Sequence, residues 1–209
     1  MKRTKDEAEQ TKAGILDAAV ELFAEKGFAN TSLTEIAKKA EVTRGAIYWH
    51  FKNKAEIFDA LHESLFVPLT DMILSDMKEE HEQPLHQLQQ LCVKSLTDLA
   101  TNYRKQLVMK VLMVQCIYGE ELACAKQKHD ARKRESLKLF SLYIEKAIKN
   151  GTLPQGTDPE PIVMTVCFFM KGVFVEFLND TAAYDLEANA EILVRHVFEG
   201  ILNCSSGPR

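Results

Sequence analysis

The sequence predicts an all-α protein: an N-terminal three-helix unit containing a helix-turn-helix, then a C-terminal helical domain, about nine helices in total. Three observations carry this reading. Apolar residues recur at steps of three and four. Helix-starting and helix-stopping residues bracket those segments. No stretch alternates with period two long enough to suggest a strand.

The elements follow in order. Between about Asp6 and Lys26, residues Ile15, Ala19, Leu22 and Phe23 fall on one helical stripe, and Gly27 can end the helix with positive φ. Ser32 and Glu35 form an S-x-x-E capping box before Leu33, Ile36, Ala37 and Ala40, the buried face of a short second helix. "EVT" is a turn, and Thr43 caps a third helix reaching His50. Asn53 and Glu56 start a long helix from Lys54 to about Lys78, about 40 Å at a rise of about 1.5 Å per residue. Pro84 suits a first helical turn. Further helices are expected at about 84–100, 104–117, 121–149, 159–179 and 186–203. Asp158 followed by Pro159 opens one of them, and Asp185 caps the last.

Composition narrows the function classes. The net charge is −4, yet residues 1–54 sum to +2 and the remainder to −6. Cations gather at Lys2, Arg3 and Lys5 and again at Arg44, Lys52 and Lys54, so their distribution says more than the total. The cysteines, Cys92, Cys116, Cys124, Cys167 and Cys204, are odd in number and include no C-x-x-C pair. That argues against a disulfide framework or a zinc site and fits a reducing cytoplasm. No apolar segment follows the first cations, so a signal peptide is not expected. No uninterrupted run approaches ~18 apolar residues, so no membrane span is expected. The expectation is a soluble, cytoplasmic chain with no cofactor and no metal.

The densest chemistry lies in "TRGAIYWHFKNK", Thr43–Lys54. At ~100° per residue, Arg44 and Tyr48 share a stripe with Gly45 and Trp49 beside it. Ala46 and Ile47 point to the other side. In helix-turn-helix proteins that read DNA, the second helix enters the major groove. Arg44 can pair bidentately with guanine. Gly45 permits close approach of the backbone. Tyr48 and Trp49 offer flat apolar contact. His50, Lys52, the Lys54 amide and the hydroxyls of Thr34 and Thr43 can hold phosphates. Lys2, Arg3 and Lys5 can track the backbone or minor groove. Trp49 and Phe51 have an alternative reading as core residues, the stronger reading for Phe51.

The stretch "RTKDEAEQTKAGILDAAVELFAEKGFANTSLTEIAKKAEVTRGAIYWHFKNKAEIFDAL" resembles the TetR family of transcriptional regulators, and within it the AcrR-type repressors of multidrug efflux pumps. Beyond Leu61 the similarity is one of outline, with "QC" at Gln115–Cys116 and "YDL" at Tyr184–Leu186. The resemblance implies a helix-turn-helix DNA-binding domain over 1–54 (motif at about 32–51) and an effector-binding and dimerisation domain over 55–209. It implies a ligand-released repressor of a multidrug or amphiphile efflux operon. Its partner would be a palindromic double-stranded DNA operator, bound by one homodimer or by two. The effector would be a small amphipathic molecule such as a drug, bile salt or fatty acid. Candidate effector contacts are Leu65, Phe66, Met72, Met109, Met113, Cys116, Ile117, Phe168, Phe174, Glu176 and Phe177, although ordinary core is the stronger reading for most of them taken singly. Ile117 stands where such repressors often carry a Glu after the Cys. Glu176 is an acid that could take its place, or a surface carboxylate.

The residues also support a dimer independently. Ile162–Leu178 is apolar almost all the way round. Leu186, Ala190, Leu193, Val197 and Ile201 form a stripe that Val194, Phe198 and Leu202 widen. Two such helices suggest an intersubunit four-helix bundle, although a central helix in a monomer would look the same. Enzymatic chemistry has little to stand on. "HEQPLH" at 81–86 lacks the H-E-x-x-H spacing, and Pro84 interrupts it. A helical adaptor would explain the bundle but not Arg44, Tyr48, Trp49 and Lys54 together.

Overall fold

The computed structural model describes residues 5–78, 83–115 and 119–206. Its helices are α1 (Lys5–Lys26), α2 (Leu33–Lys39), α3 (Arg44–His50), α4 (Lys54–Lys78), α5 (Pro84–Thr101), α6 (Tyr103–Met109), α7 (Ala123–Lys149), α8 (Pro159–Asn179) and α9 (Leu186–Ser206). No strand occurs among the described residues. The chain divides into two compact units, one of residues 1–66 and 104–130 and the other of 67–103 and 131–209.

The first unit is built on a single apolar core. Ile15, Ala19, Phe23, Ile36, Ile47, Ile57, Phe58 and Leu61 are buried there with Val108, Val111, Leu112 and Leu122. The capping chemistry is as the sequence predicts. Ser32 accepts the Glu35 amide while the Glu35 carboxylate accepts the Ser32 amide. Gly27 takes φ +81° and its amide donates to the Phe23 carbonyl. Two ion pairs tie α1 to α2, Lys26–Glu35 and Lys39–Glu21, each at 2.6 Å. The α2–α3 turn holds a surprise: Glu41 adopts φ +54°, a left-handed conformation usually left to Gly or Asn. After α6 the chain continues as a π-helical turn, Lys110–Val114, closed by the Gln115 amide on the Lys110 carbonyl at 3.0 Å. This turn packs on α1 and buries Val111 and Leu112.

In the second unit α5 and α9 form the principal packed pair, and α8 lies against both. Leu88, Leu91, Leu96 and Leu99 of α5 are buried, as are Leu186, Ala190, Val194, Phe198 and Ile201 of α9. The Tyr143 hydroxyl donates to Asp76 Oδ2 at 3.1 Å. Asp158 and Asp185 cap α8 and α9 through their carboxylates.

One expectation changes. The helix expected to run on to about residue 117 is α-helical only to Met109 before the π turn. By length and composition α8 alone among the described helices is apolar enough to cross a bilayer, a test that the core helix of a soluble protein also passes, although no uninterrupted apolar run in the sequence is that long. The reason is that Lys171 and Glu176 break the run without making the helix polar. Only 28% of that apolar segment is buried within the chain, and Met164 and Phe168 are exposed. The apolar circumference is therefore not consumed by the chain's own core.

The Lys26 ammonium, then the Ser32 hydroxyl and amide, hold the Glu35 carboxyl down at about 2. A depressed carboxyl contributes stability above its ordinary pKa of about 4.5 and loses it as pH falls towards 2. The urea midpoint of wild type should therefore exceed that of Glu35→Gln near neutral pH, with the gap closing between pH 4.5 and 2. A gap that stays constant across that window would contradict the lowered Glu35 carboxyl and its pairing with Lys26.

Candidate nucleic-acid interface

The helix α3 spans seven residues, too few to persist alone in water. It is held at three points. The Thr43 hydroxyl accepts the Ala46 amide at 3.1 Å. Ile47 is fully buried in the core of the first unit, and Phe51 is 4% exposed at the helix end. The Phe51 amide donates to the Ile47 carbonyl at 2.8 Å and closes the last turn.

With Ile47 and Phe51 inside, the opposite arc is forced outward. Arg44, Gly45, Tyr48 and Trp49 are all exposed. Tyr48 keeps 52% of its surface and Trp49 73%. Such exposure takes Trp49 out of the core, whereas Phe51 belongs to it. A Cβ added to Gly45 would meet only the Thr43 hydroxyl, at 3.9 Å. Nothing inside the protein therefore requires a glycine there, and its bareness faces outward. His50 is half-buried, its ring edge-on to Trp49 at 4.5 Å, and so braces the indole.

The flanking candidates divide. Thr34 is exposed in the first turn of α2, and Lys52 is exposed beyond α3. Asn53 Oδ1 accepts the Glu56 amide, and Glu56 accepts the Lys52 amide in return. This reciprocal cap fixes the start of α4 close behind α3. The Lys54 ammonium turns inward to the Phe28 carbonyl, so any outward contact by this residue falls to its backbone amide. Lys5 opens α1 and is exposed, while Lys2 and Arg3 lie outside the described residues.

The effector candidates do not form one cluster within a single unit. Leu65 and Met113 pack against the core of the first unit, where Met109 is 6% exposed. Phe66, Met72 and Phe174 are half-buried, and Cys116 and Ile117 lie outside the described residues. Phe168, Glu176 and Phe177 come together in the second unit. They line an open apolar groove of about 740 Å³ with Tyr184, Asp185 and Leu193. Among the described residues no group of three or more His, Cys, Asp or Glu is placed to hold a metal; His81 and Glu82 of "HEQPLH" lie outside them.

Sequence reasoning missed the Glu41 turn, for which no glycine or asparagine signals, and the inward fold of Lys54.

Known proteins share both halves of this architecture. The pattern described as bacterial regulatory proteins, tetR family, matches residues 15–61. The pattern of the C-terminal region of MAATS-type transcriptional repressors matches residues 83–202. The HTH-type transcriptional repressor BepR of Brucella suis biovar 1 (strain 1330) is 32% identical over 201 residues, 96% of each chain. The crystal structure of NalD, the secondary repressor of the MexAB-OprM multidrug efflux pump in Pseudomonas aeruginosa, matches at 33% identity and a TM-score of 0.79, over 94% of this chain and 98% of that one. A complex of SmeT with triclosan matches at 27% identity and a TM-score of 0.82, over 91% of each chain. SmeT is the repressor of the Stenotrophomonas maltophilia pump SmeDEF.

Trp49 is the only tryptophan in the chain, so intrinsic fluorescence reports directly on α3. Its emission should be solvent-like, and acrylamide should quench it in the folded protein nearly as well as in the urea-unfolded chain. Blue-shifted, shielded emission would contradict the exposed indole.

Proposed function

This chain belongs to the TetR family of bacterial transcriptional regulators, and on that premise we propose that it represses an operon for a multidrug or amphiphile efflux pump and releases it when an effector binds. The observation that carries the reading is the exposed arc of α3, an Arg, a bare Gly and two rings backed by buried Ile47 and Phe51. An arc of that composition suits a DNA groove. The kinship to a solved efflux-pump repressor at 33% identity supports the choice of target.

In this reading residues 1–54 are the DNA-binding domain and 55–209 the effector-binding and dimerisation domain, in a cytoplasmic protein. Arg44 reads a guanine. Gly45 lets the backbone close in. Tyr48 and Trp49 cover thymine methyls or sugars. Thr34, Thr43, His50, Lys52 and the Lys54 amide engage phosphates, and Lys2, Arg3 and Lys5 track the backbone. The exposed apolar faces of α8 and α9, including Phe168, Ile192 and Leu202, pair with a second copy. A twofold dimer then meets a palindrome at half-sites about 34–36 Å apart, with one or two dimers per operator.

The effector is a small amphipathic molecule. Leu65, Phe66, Met72, Met109, Met113, Cys116, Ile117, Phe174 and Phe177 are proposed to contact it. With Ile117 in place of an acid, a neutral or anionic amphiphile suits these apolar walls as well as a cationic drug. Phe168 and Glu176, exposed on the groove of the second unit, are proposed to contact the effector there. Effector binding tilts α4, which starts four residues after the end of α3. The tilt spreads the two recognition helices, and the ligand must bind the spread dimer more tightly for release to follow.

Replacing Arg44 by Ala should cost about 1–3 kcal/mol at the cognate operator and relax specificity at one base pair. Undiminished footprint protection would remove Arg44 from base reading. Phe168→Glu places a charge on an exposed site, so the fold should survive while the dimer dissociates in sedimentation and operator affinity falls at least about tenfold. A dimer that persists at micromolar concentration would move the pairing face elsewhere.

A further inference from the structure

Among the described residues the Lys54 ammonium has three contacts, all within the first unit. It donates to the Phe28 carbonyl at 3.0 Å. It sits over the Phe28 ring, 4.6 Å from the centroid. It faces Glu121 Oε2 at 3.7 Å. Its side chain is 15% exposed, less than half the exposure of the ion-paired Lys26, Lys39 or Lys128. Phe28 is itself the middle ring of three, 5.2 Å from Phe23 and 5.6 Å from Phe58. Glu121 lies in the 3₁₀ turn Glu120–Leu122 that leads directly into α7, and Leu122 is buried in the same core. Close by, Gln115 Nε2 donates to the Ala24 carbonyl at 3.2 Å, a second tie from this stretch of chain to the end of α1.

These contacts converge on the first residue of α4, four residues past α3. A cation on an aromatic face that also holds a carbonyl and a carboxylate gains from all three, and each is weakened if the stem swings outward. We infer that the Lys54 side chain has a positioning role: its ammonium latches the start of α4 to the α1–α2 loop and to the Glu120–Leu122 turn instead of contacting a phosphate, which is left to the backbone amide. The latch makes the pose of α3 depend on the turn that opens α7. A displacement of that turn is therefore felt at the reading surface without passing through the length of α4. This inference rests on the regulator reading and adds a route by which its DNA affinity is set.

The test uses full-length protein and a duplex obtained by selection, with affinity followed by fluorescence anisotropy over a series of KCl concentrations. Glu121→Gln is the decisive variant, since Glu121 is exposed and its loss cannot unfold the core. A latch predicts roughly two- to threefold weaker binding, in keeping with a partly exposed ion pair. A phosphate-contacting Lys54 predicts the opposite, because removing a competing carboxylate frees the cation for DNA. Lys54→Met should weaken binding on the order of tenfold, with the slope of log affinity against log salt unchanged and Glu121→Gln having no further effect in that background. A slope shallower by about 0.9 is the loss of one phosphate contact and would overturn the latch. Lys54→Arg should restore most of the affinity. If wild type binds no selected duplex in a salt-dependent way, the regulator reading itself falls, an outcome distinct from failure of the latch.

Discussion

The first unit depends on the burial of Ile47. A seven-residue helix has almost no stability of its own, since nucleation costs more than a single turn returns. Fully burying an Ile or Phe side chain is worth about 1.5–3 kcal/mol, and Ile47 and Phe51 are both inside. Together with the Thr43 cap they hold α3 against Ile36, Phe23 and Phe58 in one core. Because a helix cannot turn two opposite faces inward, the same burial exposes Arg44, Gly45, Tyr48 and Trp49. The reading surface is thus a geometric consequence of the core.

The second unit poses a complementary problem. Its α5–α9 core is satisfied internally, yet α8 leaves Met164 and Phe168 in solvent and α9 leaves Ile192 and Leu202. Exposed rings and aliphatics on adjacent helices are unfavourable unless something covers them. On the proposed reading a second copy does, and its twofold symmetry is what a palindrome requires. One apolar surface would then account for both the unspent hydrophobicity and the form of the operator.

Much of the fold was legible in the sequence because the signals are local. The Ser32–Glu35 box, Gly27, Asp158–Pro159 and Asp185 act over a few residues and appear in the structure as their chemistry requires. The outward arc of α3 followed from helical spacing once Ile47 was placed in the core. What spacing could not decide was Trp49, since a ring beside a stripe boundary can turn either way. Glu41 was not legible because it closes α2 in a Schellman turn, the Val42 amide donating to the Ala37 carbonyl at 3.0 Å, at a position usually held by Gly or Asn. The π turn after Met109 packs on α1, and no local motif announces it. Lys54 looked like one more cation in a basic run. Its inward course depends on Phe28 and Glu121, 26 and 67 positions away in sequence. Candidate effector residues were the least legible, since Met and Phe serve core and cavity alike.

The measurement that bears most directly on the central claim is selection of random duplexes by the purified protein, followed by affinity measurement across salt. The account predicts enrichment of a palindrome whose half-sites lie about one helical turn apart. Affinity for it should fall steeply with salt while staying well above that for scrambled DNA. Failure to enrich any sequence, or binding indifferent to sequence and salt, would contradict the assignment of α3 as a reading helix.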